Sequence, residues 1–345
     1  MLNGKNWGLL VVCSAVVAIT TAAAADVFNM PGDLTSLEMV PVGNAGNSGD
    51  VQPQGTFGAV GYKYGIARYE ITSGQYCEFL NAVARVDTYA LYRPQMWTSV
   101  YGCRIERTDV NSDGLWEYSV AAAYANRPVN NVCWGDAVRF CNWLHNGQPA
   151  TGVQDATTTE DGAYFLDGAT TDIEYRAITR KPAALWGIPS EDEWYKAAYY
   201  DPNVAGGYYW NCPTQHDTQP GRDLTEATKP GNNANYLAAP YPIEAGTYYM
   251  TEVGNFFLSD SAYGTFDQGG NVREWTDTIV GDFGVERGGS YYDTATGLLA
   301  SDRQVTHGPA YESNILGFRV VAVPEPASAS LLLLGAAALL RRRRG

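Results

Sequence analysis

The chain has 345 residues, 37 of them acidic and 23 basic, and its formal net charge of −14 excludes the basic surface that phosphate backbones require, so nucleic acid is not an expected partner. Glycine, tyrosine and tryptophan are plentiful, apolar runs inside the chain are short, and there is no internal repeat or heptad pattern. These features describe a loop-rich α+β domain rather than a βαβ repeat.

In chain order, Lys5 precedes an apolar run from Trp7 to Thr21, and Ala23-Ala24-Ala25 before Asp26 supplies the small residues that signal peptidase accepts. Residues 1–25 therefore read as a secretory signal, which implies export. A strand is expected around Tyr64 to Glu70. Ser73 is then placed to cap a helix over Gln75 to Ala84, whose Tyr76, Phe79, Leu80 and Val83 share one face. Strands follow around Arg104 to Thr108 and Leu115 to Val120. Between them, Asp109-Val110-Asn111-Ser112-Asp113-Gly114 begins like an EF-hand loop, but Val120 stands where the bidentate glutamate belongs. Asp and Gly are also ordinary turn residues, so a plain hairpin is the alternative.

Asp136 is expected to cap a helix over Ala137 to His145, ended by Asn146-Gly147. Ser190-Glu191-Asp192-Glu193 is a capping box that opens a third helix through Trp194 and Ala197, with Glu191 and Glu193 suiting the helix dipole. A last strand is expected over Gly317 to Ala322. The chain closes on Pro324-Glu325-Pro326, an apolar stretch from Ala327 to Leu340, and Arg341 to Arg344. That stretch falls short of the roughly 20 residues needed to span a bilayer, and the arginines would hold its end on the cytoplasmic side.

This order over residues 323–345 resembles the PEP-CTERM sorting signal of bacterial envelope proteins. The resemblance implies cleavage by an exosortase-type membrane protease, transient contact with the membrane, and release or transfer to the cell surface; a simple tail anchor is the alternative. Without Lys5 and the four terminal arginines, 18 of the 23 basic residues remain and the net charge becomes about −19. The domain itself would occupy residues 26–322.

Asp267-Gln268-Gly269-Gly270-Asn271-Val272-Arg273-Glu274-Trp275 carries the clearest chemistry. Calcium takes six to eight oxygens in irregular geometry. Asp267 and Glu274 supply carboxylates, and the glycines allow the Gly270 and Val272 carbonyls to turn toward the same point. The alternative is a turn in which Glu274 caps backbone amides.

This segment, followed by Arg287-Gly288-Gly289-Ser290 and Asn314-Ile315-Leu316-Gly317-Phe318-Arg319, resembles the end of the formylglycine-generating enzyme family, the sulfatase-modifying factors. Upstream, Tyr69-Glu70-Ile71-Thr72 with Gln75-Tyr76, Pro128-Val129-Asn130-Asn131-Val132 with Trp134-Gly135-Asp136-Ala137, and Ile188-Pro189-Ser190-Glu191-Asp192-Glu193-Trp194 extend the match from about Tyr62 to Val321. The resemblance implies an irregular, loop-rich, C-type-lectin-like α+β fold. It also implies a structural calcium at Asp267, Gly270, Val272 and Glu274, with Asn235 matching a ligand of a second calcium site.

The same resemblance places the family's two copper-binding catalytic cysteines at Asp293 and Leu298, neither of which supplies a thiolate, so copper is not expected. Cys141 matches a family disulfide position, but its partner position is Val320. The cysteines outside the signal are Cys77, Cys103, Cys133, Cys141 and Cys212, and an odd number leaves at least one free thiol. Non-haem iron needs two histidines and a carboxylate, whereas His145, His216 and His307 are scattered. Ser290, Arg303, His307 and Asn314 are the candidates to line the pocket. Two functions follow: an exported, calcium-stabilised binding or structural module for a peptide or carbohydrate, or a protein-modifying oxidoreductase or non-haem-iron-type enzyme working through other residues of the pocket.

Overall fold

The computed structural model describes residues 30, 32, 34–244 and 248–323; the signal expected at 1–25, and all but Val323 of the sorting segment expected at 323–345, lie outside the described residues. Among the described residues, the three longest helices and two four-stranded sheets organise the fold, with long loops between them, as the α+β reading requires.

The first helix runs Ser73–Val83, and its cap is Thr72 rather than Ser73. Gln75 decides this, because its Oε1 accepts the Thr72 amide at 3.0 Å while Thr72 Oγ1 accepts the Gln75 amide at 3.2 Å. Ser73 instead donates to the Arg127 carbonyl. The second helix, Trp134–His145, begins three residues before the expected start, since Asp136 Oδ2 reaches back 2.9 Å to the Cys133 amide and acts from inside the first turn. The third, Glu191–Tyr199, has the expected Ser190–Glu193 box.

The first two helices pack through an aromatic cluster in which Phe79 and Phe140 lie 5.2 Å apart, and Phe140 and Phe318 5.4 Å apart. All three rings are fully buried, so truncating any one to alanine costs about 3–5 kcal/mol.

One sheet has the strand order Met39–Val42, Tyr64–Ala67, Val321–Ala322, Trp186–Gly187, all antiparallel. The other runs Gln304–His307, Phe283–Arg287, Arg273–Val280, Leu316–Gly317, the last pair parallel. The single strand expected over Gly317 to Ala322 is thus two short strands in different sheets. The intervening Phe318 and Arg319 turn into the core between them, fully buried. Ile105–Thr108 and Glu117–Val120 form a hairpin. Its turn uses the Asp109 carboxylate to accept the Asp113 and Gly114 amides at 3.1 Å each, which is the plain-hairpin alternative.

Buried ion pairs tie the layers together. Glu191 accepts Arg287 and Arg303 at 2.6 Å each, Arg139 meets Glu160 at 2.7 Å, and Glu193 meets Arg180 at 3.0 Å.

Candidate functional site

The loop that leads into the long Arg273–Val280 strand is forced by its backbone. Asp267 and Asn271 both adopt left-handed conformations, with φ of +58° and +53°. Gly270 has φ +96°, and a Cβ there would come within 2.2 Å of the Asn235 carbonyl oxygen, so no other residue fits. Asn271 Oδ1 accepts from Asn235 Nδ2 and from the Thr251 amide, which stitches three segments together.

Below this loop, Glu274 is fully buried against the Arg319 guanidinium, with contacts of 2.6 and 2.7 Å, and its Oε2 also accepts the Trp194 indole at 2.8 Å. Glu70 and Asp267 sit beside this pair. Burial pushes the Asp267 carboxyl up to about 6 and raises that of Glu70 well above its ordinary value. The cluster therefore holds three carboxyl groups against one arginine. Glu274, expected as a calcium ligand, is committed to Arg319. Asn235 Oδ1 is buried without a hydrogen-bond partner, the kind of orphaned acceptor that fits a cation.

Beyond the Arg287-Gly288-Gly289-Ser290 turn, the two positions matched to the family's cysteines are occupied in different ways. Asp293 receives Arg273 Nε at 2.8 Å, a second contact from Arg273 Nη2, and Ser290 Oγ at 2.6 Å. Burial acts to raise the Asp293 carboxyl, but these bonds outweigh it and hold it below the ordinary value. Leu298 is fully buried and packs with Ala234, Tyr236 and Ala295. Arg273 continues toward Glu286 at 3.7 Å, and Glu286 bonds His307 Nδ1 at 2.7 Å. The His307 ring lies flat on Tyr311, 4.0 Å between centroids.

Tyr291 and Tyr292, between Ser290 and Asp293, belong to a tyrosine basket. Tyr101 and Tyr249 lie 4.5 Å apart, Tyr241 and Tyr249 5.3 Å, and Tyr249 and Tyr291 5.8 Å. Asn130 fixes two walls of it by donating to the Tyr101 and Asn314 carbonyls at 2.7 Å each, and Asn314 Nδ2 donates to the Tyr291 hydroxyl at 2.5 Å. The basket borders a cleft of about 320 Å³ lined by Tyr101, Tyr292, Ser313, Asn314 and Ile315.

Over residues 33–323 the chain matches the sulfatase-modifying factor enzyme 1-like domain family. The chain belongs to that family. Among solved structures, CarF is similar to this family member at 21% identity with a TM-score of 0.52, covering 84% of this chain and 99% of CarF. Treponema denticola variable protein 1 aligns at 18% identity and a TM-score of 0.48 over 84% of this chain and 96% of its own. PvdO from Pseudomonas aeruginosa aligns at 18% and 0.46 over 86% of this chain and 100% of its own. The CarF match shows the fold.

Of the four residues expected to line the family's pocket, Asn314 lines the cleft. Ser290 is buried on Asp293, Arg303 is drawn away to Glu191, and His307 is held by Glu286. His145 and His216 stand elsewhere, bonded to the Leu185 amide and the Thr214 carbonyl. All five cysteines among the described residues are buried and free, including Cys141. Cys133, Asp136 and Glu312 bring ligand atoms within 4.8 Å of one another, but Cys133 caps a helix with Asp136, and Glu312 pairs with Arg93.

Sequence reasoning missed Asn130 as the brace of the cleft. It also read Glu191 and Glu193 as dipole charges where they anchor buried arginines. Tyr101, Tyr241 and Tyr249 had no signal beyond the abundance of tyrosine.

Proposed function

We propose that this protein is an exported binding module of the sulfatase-modifying factor family that does not generate formylglycine, and that the tyrosine-bordered cleft is its ligand surface. The observation that carries this reading is the pairing of Asp293 with Arg273 and Ser290. At the position matched to a catalytic cysteine it leaves a satisfied carboxylate in place of a nucleophile. Leu298, at the other, is packing. Export and surface sorting rest on the signal at residues 1–25 and the Pro324-Glu325-Pro326 tail, with signal peptidase and an exosortase-type protease as partners.

Calcium stays in this reading as a structural ion held by Asp267 with the Gly270 and Val272 carbonyls. Glu274 would join only by leaving Arg319, and the orphaned Asn235 Oδ1 speaks for a cation at the second site that Asn235 matches.

The test is intrinsic-fluorescence titration of wild type and Tyr292→Ala with neutral oligosaccharides and with short uncharged aromatic peptides. Binding by either class that the substitution abolishes supports the cleft. Binding that survives it, or binding by neither class, contradicts the assignment.

A further inference from the structure

We infer that the cleft is a subsite for a neutral saccharide, an inference that rests on the binding reading above. Its described lining, Tyr101, Tyr292, Ser313, Asn314 and Ile315, contains no charged side chain. A phosphate, a carboxylate or an ammonium group would find no counter-charge in that wall. Arg222, the cation whose charge acts on Tyr241, lies outside that lining; its Nη1 donates to the Ala238 and Pro240 carbonyls, while its Nε and Nη2 are buried without partners.

The aromatic surface is packed on its inner side and open on its outer one. Tyr101 is backed by Tyr249 and lies nearly parallel to Tyr291, 6.3 Å away, while Tyr292 is 57% exposed. A pyranose has an apolar C–H face that packs on such a ring and a rim of hydroxyls that needs donors and acceptors. Ser313 and Asn314 supply that rim. Behind that wall the Tyr241 ring lies 5.3 Å from Tyr249, and its hydroxyl is buried without a hydrogen-bond partner.

Size and backbone favour a sugar over a peptide. About 320 Å³ is at the small end of ligand pockets, roughly 300–1,000 Å³, which suits one or two sugar rings. An extended peptide takes much of its affinity from main-chain pairing with a strand edge, and all five lining residues lie outside strands.

The test uses the purified full protein titrated calorimetrically with maltotetraose, cellotetraose and chitotetraose, beside an oligogalacturonate and an uncharged aromatic hexapeptide. At least one neutral tetrasaccharide is expected to bind with a dissociation constant of roughly a millimolar or tighter. Tyr292→Ala should weaken it at least tenfold, and raising salt from about 0.05 to about 0.5 M should leave it unchanged, because no charge takes part. No binding by any of the three, binding insensitive to Tyr292→Ala, or binding lost in salt would overturn the inference. Hexapeptide binding that Tyr292→Ala abolishes, with no saccharide bound, would overturn the saccharide and leave the cleft as the ligand surface.

Discussion

Replacing Glu274 by glutamine tests the electrostatic centre of the fold. Arg319 has no exposed side-chain surface and Glu274 has 1%, so solvent cannot screen a charge left alone there. Glutamine keeps an acceptor for the Trp194 indole but removes the charge that faces the guanidinium at 2.6 Å. Breaking one side of a buried pair costs about 3–5 kcal/mol. The Ala67 and Phe266 carbonyls still accept from Arg319, and Glu70 and Asp267 stand close by, so the lower figure applies. About 3 kcal/mol corresponds to a fall in Tm of roughly 4–6 °C for a domain of this size. Differential scanning calorimetry in EDTA isolates the ion pair from any bound cation. Glu274→Leu combined with Arg319→Met should recover most of the loss, because a buried pair replaced whole by apolar groups is often neutral. A loss under about 1 kcal/mol for Glu274→Gln, or a double variant no better than the two single losses added, would refute the reasoning.

Asp267→Asn should stabilise the calcium-free protein at neutral pH and flatten its pH dependence. The Asp267 carboxyl is raised from 3.8 to about 6, so the folded state holds the proton more tightly than the unfolded one. Its contribution is present below about pH 4 and lost as pH rises through about 6, a change of about 3 kcal/mol that Tm measured from pH 4 to 7.5 in EDTA should register. If calcium binds as proposed, wild type in a hundredfold excess over Kd gains about 2.7 kcal/mol, and EDTA lowers its Tm; superimposable melting curves would remove calcium from the account. Intact-mass analysis of the envelope or secreted form should show a product without Arg341 to Arg344, and a mature species that retains them would end the sorting-signal reading.

The motifs that were legible in the sequence are those whose meaning is local. Ser190 and Glu193 are three residues apart and form their box as written, and the Asp109 loop makes the turn that its Asp and Gly favour. Errors arose where two local solutions compete, as with Thr72 and Ser73, both able to cap, until the reach of Gln75 selects Thr72. The cleft was hardest to see because its walls come from residues far apart in the chain, around 101, 241, 249, 291 and 314, brought together by Asn130 and by ring packing that no periodicity records. Glu274 likewise has a partner that no local motif records. Its place in the motif suggested a metal ligand, while its partner Arg319 lies 45 residues away on a turn between two sheets.

The most direct measurement is mass spectrometry of a sulfatase-type cysteine peptide incubated with the wild-type protein, copper, oxygen and a thiol reductant. The account predicts unmodified peptide at the level of the no-enzyme control, because Asp293 is satisfied by Arg273 and Ser290 and Leu298 is buried packing. Formylglycine above that control would contradict it.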